Sequence, residues 1–314
     1  MKIVVTGALG HIGSRLIRDI PEKFPEAEIV MIDNLSTQRY CSLFNLPLNG
    51  KYRFIEEDVL AADLPPIFSG ADVIIHLAAI TNAAGSCEIR EQVERVNYEG
   101  TKKVASSSLE AGCPMIFLST TSVYGTQAET VDENCPASDL KPQSPYAESK
   151  LKAEQMLEDL GQSKGLRFIV CRFGTIFGVS VGMRFHTAVN KFCWQAVMGQ
   201  PITVWRTALH QYRPYLDLND AMEAFKFIIG KGLYDCRIYN VLTLNSTVND
   251  IVKVISRHVP DLAIQYVDTK IMNQLSYRVS NDRFKGLGFE FKGDLSRGIS
   301  DTIHLIRGAR VWHK

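Results

Sequence analysis

Lys2-Ile3-Val4-Val5-Thr6, Gly7-Ala8-Leu9-Gly10-His11-Ile12-Gly13 and, after a helical run, Glu28-Ile29-Val30-Met31-Ile32-Asp33 decide the fold of this chain. The first and last pieces are short apolar runs rich in β-branched residues and without polar alternation, the pattern of strands covered on both faces in a parallel sheet. Between them the chain needs a tight turn. Gly7 supplies the unusual backbone angles, Gly10 lets the backbone approach a pyrophosphate, and Gly13 lets the following helix lie close on the strand. The unpaired N–H groups and positive dipole end of that helix suit phosphate. Asp33 follows Gly13 by twenty positions, from where a carboxylate accepts from both ribose hydroxyls and repels a 2′-phosphate. The expected ligand is therefore NAD rather than NADP.

Alternating strand and helix patterns continue outward from this unit. Arg53–Asp58 reads as a third strand, and the carboxylate of Asp58 either accepts from an adenine amino group or is an exposed strand end. Asp72–Ala79, Met115–Ser119 and Arg167–Arg172 read as further buried strands, with helices over 88–111 and from Tyr146. This specifies an α/β fold, a doubly wound Rossmann-type parallel sheet, with a smaller C-terminal substrate-binding lobe. The expected division is 1–175 for the NAD-binding domain, with returning segments near 210–241, and 176–314 mainly for the lobe. In that lobe a helix is expected over Arg184–Met198, with Trp194 and Trp205 in its core.

At 314 residues the chain holds a large core, and a net charge of +1 gives no basic field for nucleic acid. No apolar run is long enough to span a bilayer, and no cleavable apolar segment precedes the first strand, so a soluble, cytoplasmic protein is expected. The seven cysteines are scattered, with no Cys-x-x-Cys. They suit reduced thiols rather than disulfides or a metal site, and no metal is expected.

Tyr146 and Lys150 lie four apart at the start of a helix and face one side of it. An ammonium close to a phenol favours the phenolate, which makes Tyr146 a candidate base and Lys150 its partner and the holder of the nicotinamide ribose. As a bare pattern, the same spacing describes any solvated helix face. Thr120, at the end of the fifth strand, is the chosen hydroxyl donor for an oxygen that alternates between alcohol and ketone. Thr121 and Ser122 compete with it, and the whole run also suits a hydroxyl-capped turn.

Together with His76-Leu-Ala-Ala79, Asn97-x-x-Gly-Thr101 and Arg172-x-x-Thr-Ile-Phe-Gly178, these motifs resemble extended short-chain dehydrogenase/reductases, and within them the nucleotide-sugar epimerase/dehydratase group, similar to UDP-glucose 4-epimerases. The resemblance implies Tyr146, Lys150 and Thr120 as catalytic. It implies cofactor contacts at Gly7, Gly10, His11, Ile12, Gly13, Asp33, Asn34, Asp58, Val59, Leu77, Ala78, Ala79, Asn97, Ser119, Tyr146 and Lys150. Substrate contacts are implied at Thr81, Thr120, Thr121, Thr175, Asn190 and Arg213. Arg213 matches a diphosphate-binding arginine, and its fork suits phosphate as well as it suits a surface position before a strand. Asn190 is either a contact to the nucleotide base or a helix-surface amide. His76 is assigned to packing near the cofactor.

The activity implied is that of an NAD-dependent epimerase acting on a nucleotide sugar, at C4 through a transient 4-keto sugar. A C4 dehydrogenase or reductase is the alternative, and a non-catalytic NAD-sensing protein a third. Similar dehydratases and decarboxylases carry an acid two positions before the loop tyrosine, where this chain has Ser122. Thr175 stands where asparagine is usual, and Thr81 where many 4-epimerases have a basic residue. Met272–Ser276 occupies the region of a second phosphate-binding arginine, with Arg278 as the candidate substitute. A homodimer through the helices at 88–111 and 146–161 is implied by family habit.

Overall fold

The computed structural model describes residues 1–125, 129–268 and 276–309. Seven parallel strands form its central sheet: β1 (Lys2–Thr6), β2 (Glu28–Asp33), β3 (Lys51–Glu56), β4 (Val73–His76), β5 (Met115–Thr120), β6 (Phe168–Phe173) and β7 (Ile238–Val241). Their order is β7-β6-β5-β4-β1-β2-β3. The order reverses between β1 and β4, which opens a crevice at the carboxyl ends of those strands. Side chains alternate between two cores. Ile3, Val5, Ile29 and Met31 pack on one face, while Val4, Val30 and Ile32 pack on the other. Both faces are apolar because both are covered by helices, which is why the strands show no polar alternation.

Helix His11–Lys23 lies directly on the turn after β1. A Cβ on Gly13 would meet the carbonyl oxygen of Gly7 at 2.5 Å, and Gly7 itself has φ +67 with the Ala78 nitrogen 2.6 Å from the position of its missing Cβ. These two glycines therefore serve packing between the turn, the helix and β4. Helix Pro145–Lys164 starts with Ser144 accepting from the Ala147 N–H and ends at Gly165 in the left-handed region.

The long helix expected over 88–111 is interrupted. Arg90–Val93 and Gly100–Glu110 are α-helical, but Glu94–Glu99 between them is a π-helix. The wider turn carries Asn97 inward, where its amide accepts from the Ile80 N–H and donates to the Ile80 carbonyl and to Ser149.

Outside the central sheet, Thr175–Phe177, Tyr212–Asp217 and Leu244–Thr247 form a three-stranded sheet, and Ile202–Trp205 pairs with Ile264–Val267. Phe177, Tyr215, Ile251 and Ile299 are among the residues of a separate apolar core on this side of the molecule. The helix expected from Arg184 begins only at Ala188. Residues 178–187 are irregular, so Arg184 lies on a loop. Trp194 and Trp205 are also not core residues: they are 36% and 44% exposed. No described helix is long and apolar enough to cross a membrane.

Candidate active site

A cavity of about 560 Å³ runs along the crevice, from the glycine turn to the hydroxyl loop after β5. Gly7, Gly10, His11, Ile12 and Gly13 line one end with Asp33, Asn34, Asp58 and Val59. Leu77, Ala78, Ala79 and Ser119 lie between, and Thr81, Thr120, Tyr146, Lys150 and Thr175 line the other end.

The dinucleotide end is preorganised by local bonds. Asp33 accepts from the N–H of Leu9 and of Leu35, both at 3.0 Å, so its carboxylate is anchored at the strand end. Asn34 donates to Asp58 at 2.9 Å. Gly10 is the N-cap of the first helix, and no side chain caps that helix end. That uncapped helix end borders the cavity at Gly10, His11, Ile12 and Gly13, and a Cβ-free approach is available at Gly10. This donor set fits a pyrophosphate, and the acid at Asp33 fits an unphosphorylated ribose.

At the other end the Tyr146 phenol and the Thr120 hydroxyl both line the cavity, and Thr120 is one of the groups that act on the phenol. Thr120 accepts from the Ser122 N–H at 3.1 Å, which fixes its hydroxyl. Burial pushes the pKa of the phenol above its ordinary value, while the Arg184 charge and the neighbouring Thr120 side chain oppose that rise. The Lys150 ammonium lies 4.7 Å from the centre of the Phe117 ring, and burial pushes it down to about 7 against the pull of Glu154. Arg184 is the cation acting on Tyr146.

Arg184 was not among the candidate site residues read from the sequence. Its guanidinium donates to Thr81 Oγ1, and its buried Nε has no hydrogen-bond partner among the described residues. Desolvation lowers it only to about 10, so it is charged at neutral pH. The loop that carries it is fastened to the cofactor end. His11 Nε2 lies 2.9 Å from the Gly178 carbonyl, and Gly182 N–H donates to Ser14 Oγ at 2.9 Å. Glycine at 182, between an apolar strand and the apolar run from Ala188, was the available sign that this segment leaves the helical pattern. Arg39, His186 and Trp205 also line the cavity.

Four expected contacts do not line it. Asn97 is fully buried and holds the chain at Ile80, as described above. Thr121 donates to the Phe173 carbonyl at 3.3 Å. Asn190 is fully buried, accepting from Gly178 N–H at 3.4 Å and donating to the Arg184 carbonyl at 3.1 Å, so it ties the two ends of the 178–184 loop together. Arg213 donates to the Tyr212 carbonyl and to Gln211 and lies over the Tyr277 ring, centroid 5.4 Å away. Residues 272–275 lie outside the described residues. Arg278 is engaged by Glu129 at 3.0 Å and by the Tyr212 ring. His76 is fully buried between the hydroxyls of Thr6 and Thr101, a packing position as expected. No cluster of metal-ligating side chains occurs among the described residues.

Comparison with known proteins agrees with this arrangement. Residues 3–241 match the model of the NAD dependent epimerase/dehydratase family. An uncharacterized UDP-glucose epimerase, YtcB of Bacillus subtilis, is 30% identical over 240 residues, 74% of this chain and 73% of that one. The trifunctional UDP-glucose 4,6-dehydratase/UDP-4-keto-6-deoxy-D-glucose 3,5-epimerase/UDP-4-keto-L-rhamnose-reductase RHM1 of Arabidopsis thaliana is 29% identical over 317 residues, 96% of this chain and 46% of that protein. The chain thus spans about half the length of the first curated relatives it matches. Among solved structures, the UDP-glucuronic acid 4-epimerase of Bacillus cereus in complex with UDP-glucuronic acid and NAD superposes with a TM-score of 0.87 at 23% identity, covering 98% of this chain and 99% of that one. The UDP-N-acetylglucosamine 4-epimerase of Methanobrevibacter ruminantium gives 0.85 at 23% identity, covering 98% of each chain. With a glycine turn that fits pyrophosphate, an acid at Asp33 and a tyrosine–lysine pair at the far end of one cavity, the chain belongs to the NAD dependent epimerase/dehydratase family, and its cofactor is NAD.

Proposed function

We propose that this chain is a nucleotide-sugar 4-epimerase. The observation that carries the reading is that a single cavity joins the dinucleotide turn to Thr120 and Tyr146, so that a sugar hydroxyl held there lies beside the nicotinamide. Tyr146 takes the proton from the sugar C4 hydroxyl as phenolate, and Thr120 holds the same oxygen. NAD, which the Gly7–Gly13 turn, Asp33 and Lys150 would hold, would supply the hydride acceptor for C4 and, once reduced, the hydride donor. Arg184 stabilises the negative charge on Tyr146 while the proton is away.

Ser122 supports epimerisation over dehydration. It lines the cavity at the position where similar dehydratases have an acid, and a serine hydroxyl is no general acid for eliminating water at neutral pH. Trp205, exposed at the cavity wall, offers an aromatic face to the nucleotide base. A homodimer through the paired helices Gly100–Glu110 and Pro145–Lys164, and a cytoplasmic location, belong to the same proposal.

The test is incubation of the chain and NAD with a panel of UDP-, GDP-, dTDP- and CDP-sugars. The product is weighed by mass spectrometry and its configuration read by NMR. Unchanged mass with an inverted C4 is the expected outcome. Loss of two hydrogens with NADH accumulating would make the chain a dehydrogenase, and loss of water would overturn the argument from Ser122.

A further inference from the structure

Tyr146, Lys150 and Glu154 follow one another at four-residue steps and form a stripe along one side of helix Pro145–Lys164. The first two line the cavity. Glu154 does not: it lies behind the wall, 1% exposed, among equally buried groups. Its carboxylate accepts from the Ser119 hydroxyl and from Arg172, whose Nε lies 3.0 and 3.2 Å from the two oxygens and whose Nη2 lies 2.6 Å from Oε2. Arg172 Nη1 donates to the Tyr124 hydroxyl at 2.9 Å, and that hydroxyl donates to Asn240 at 2.9 Å. Every member of this network is partnered, so the carboxylate is fixed in one orientation.

Lys150 is placed quite differently. It is 3% exposed and is in no direct ion pair among the described residues. From β5 the Phe117 ring faces it at 4.7 Å, and from β4 the imidazole of His76, which burial and the Lys150 charge push down to about 3, leaving it neutral. From its own helix Tyr146 and Glu154 flank it, and from β6 Arg172 stands behind Glu154. A desolvated ammonium in such surroundings loses its proton unless an anion is near. Among these groups Glu154 is the one carboxyl group, and it is the partner that opposes the fall of Lys150 to about 7.

We infer that Glu154 is a positioning residue for the site, a carboxylate clamped by Arg172 and Ser119 that keeps the Lys150 ammonium charged. The charge on Lys150 strengthens its hold on a ribose hydroxyl, and in that respect the inference rests on the proposed reaction. Glu154 touches neither substrate nor cofactor. Arg172 stabilises the carboxylate and at the same time competes for it, so the two buried cations share one anion.

The test reads Lys150 directly. The full chain is labelled at lysine ¹³Cε, saturated with NAD and titrated by NMR, with the Lys150 signal identified by its loss in Lys150→Arg. In Glu154→Gln the midpoint is expected to fall by at least about one pH unit, a tenfold change in the protonated-to-neutral ratio. An unmoved midpoint overturns the inference. Should the unpaired Arg172 prevent Glu154→Gln from folding, Glu154→Gln/Arg172→Gln removes both charges. Because the carboxylate is one helical turn from Lys150, the midpoint is still expected below that of the parent chain, and a midpoint at or above it overturns the inference. With a substrate from the panel, the alkaline limb of the rate profile should move down with the lysine midpoint. Turnover lost at every pH with an unshifted lysine would make Glu154 structural only. If the parent chain turns over no nucleotide sugar, the proposed function fails while the lysine titration still decides the inference.

Discussion

The guanidinium of Arg184 donates to the hydroxyl of Thr81 across 103 positions of sequence. The bond sets a cation at the end of the cavity that Thr81 lines. The positive charge reaches that place from the loop after Thr175–Phe177, and it acts on the Tyr146 phenol.

Removal of that charge has a predictable sign. A nearby cation favours the phenolate, so Arg184→Met takes away a force that lowers the pKa of Tyr146, and burial is left less opposed. The limb of the pH–rate profile that rises as Tyr146 ionises is expected to move to higher pH by about one unit, with roughly tenfold slower turnover below it. Arg184→Lys should recover part of the shift. Rate profiles of the three proteins on one substrate check this.

Tyr146→Phe keeps the ring and removes the proton acceptor. NAD binding should persist and turnover should fall by about 10²–10⁴-fold, the usual contribution of a positioned acid–base group. Calorimetric NAD titration beside steady-state rates separates the two effects; undiminished turnover would remove Tyr146 from the base role.

Asp33→Asn retains an oxygen that can accept from Leu9 or Leu35 N–H but loses the negative charge. Repulsion of a 2′-phosphate weakens with it, and the preference for NAD over NADP should drop by about tenfold or more. Paired dissociation constants for the two dinucleotides give the ratio.

Gly13→Ala sets a Cβ against the Gly7 carbonyl oxygen, 2.5 Å away, and against Ala8 backbone atoms at 2.7 Å. The helix must move off the strand or the turn must open. An overpacking cost of about 1–3 kcal/mol is expected, with weaker NAD binding in the surviving fold. Denaturant unfolding with and without NAD measures both.

Trp205→Ala tests the base platform. Loss of a stacking partner should raise KM for the nucleotide sugar by about tenfold while kcat changes little, because the base is remote from the reacting carbon. Equal losses in kcat and kcat/KM would place Trp205 elsewhere in the cycle.

The central sheet was legible because its strands are uniform: Ile3–Val5, Ile29–Ile32 and Val73–Ile75 are apolar on both faces, and only parallel strands under two helical layers require that. The glycine turn, Asp33 and the tyrosine–lysine spacing were legible because each is a local geometric requirement written in adjacent residues. What escaped was non-local. Arg184 followed an apolar pattern that looked helical, and nothing in its neighbourhood of sequence announces Thr81 or Tyr146. The π-turn at Glu94–Glu99 also has no local mark; it is stabilised by what Asn97 meets at Ile80. The position of Lys150 over Phe117 depends on a strand thirty residues earlier, so spacing gave the face of the helix but not the partner.

A Cβ on Gly182 would meet the carbonyl oxygens of Leu9 and Gly10 at 2.4 and 2.8 Å. The loop that presents Arg184 to the sugar side is thereby built against the turn that receives the dinucleotide. Anyone exchanging residues 178–187 for those of another family member, to change which sugar is accepted, inherits this joint. A transplanted loop with any side chain at position 182 would displace the cofactor turn along with it, so substrate preference and cofactor affinity would have to be redesigned as one module.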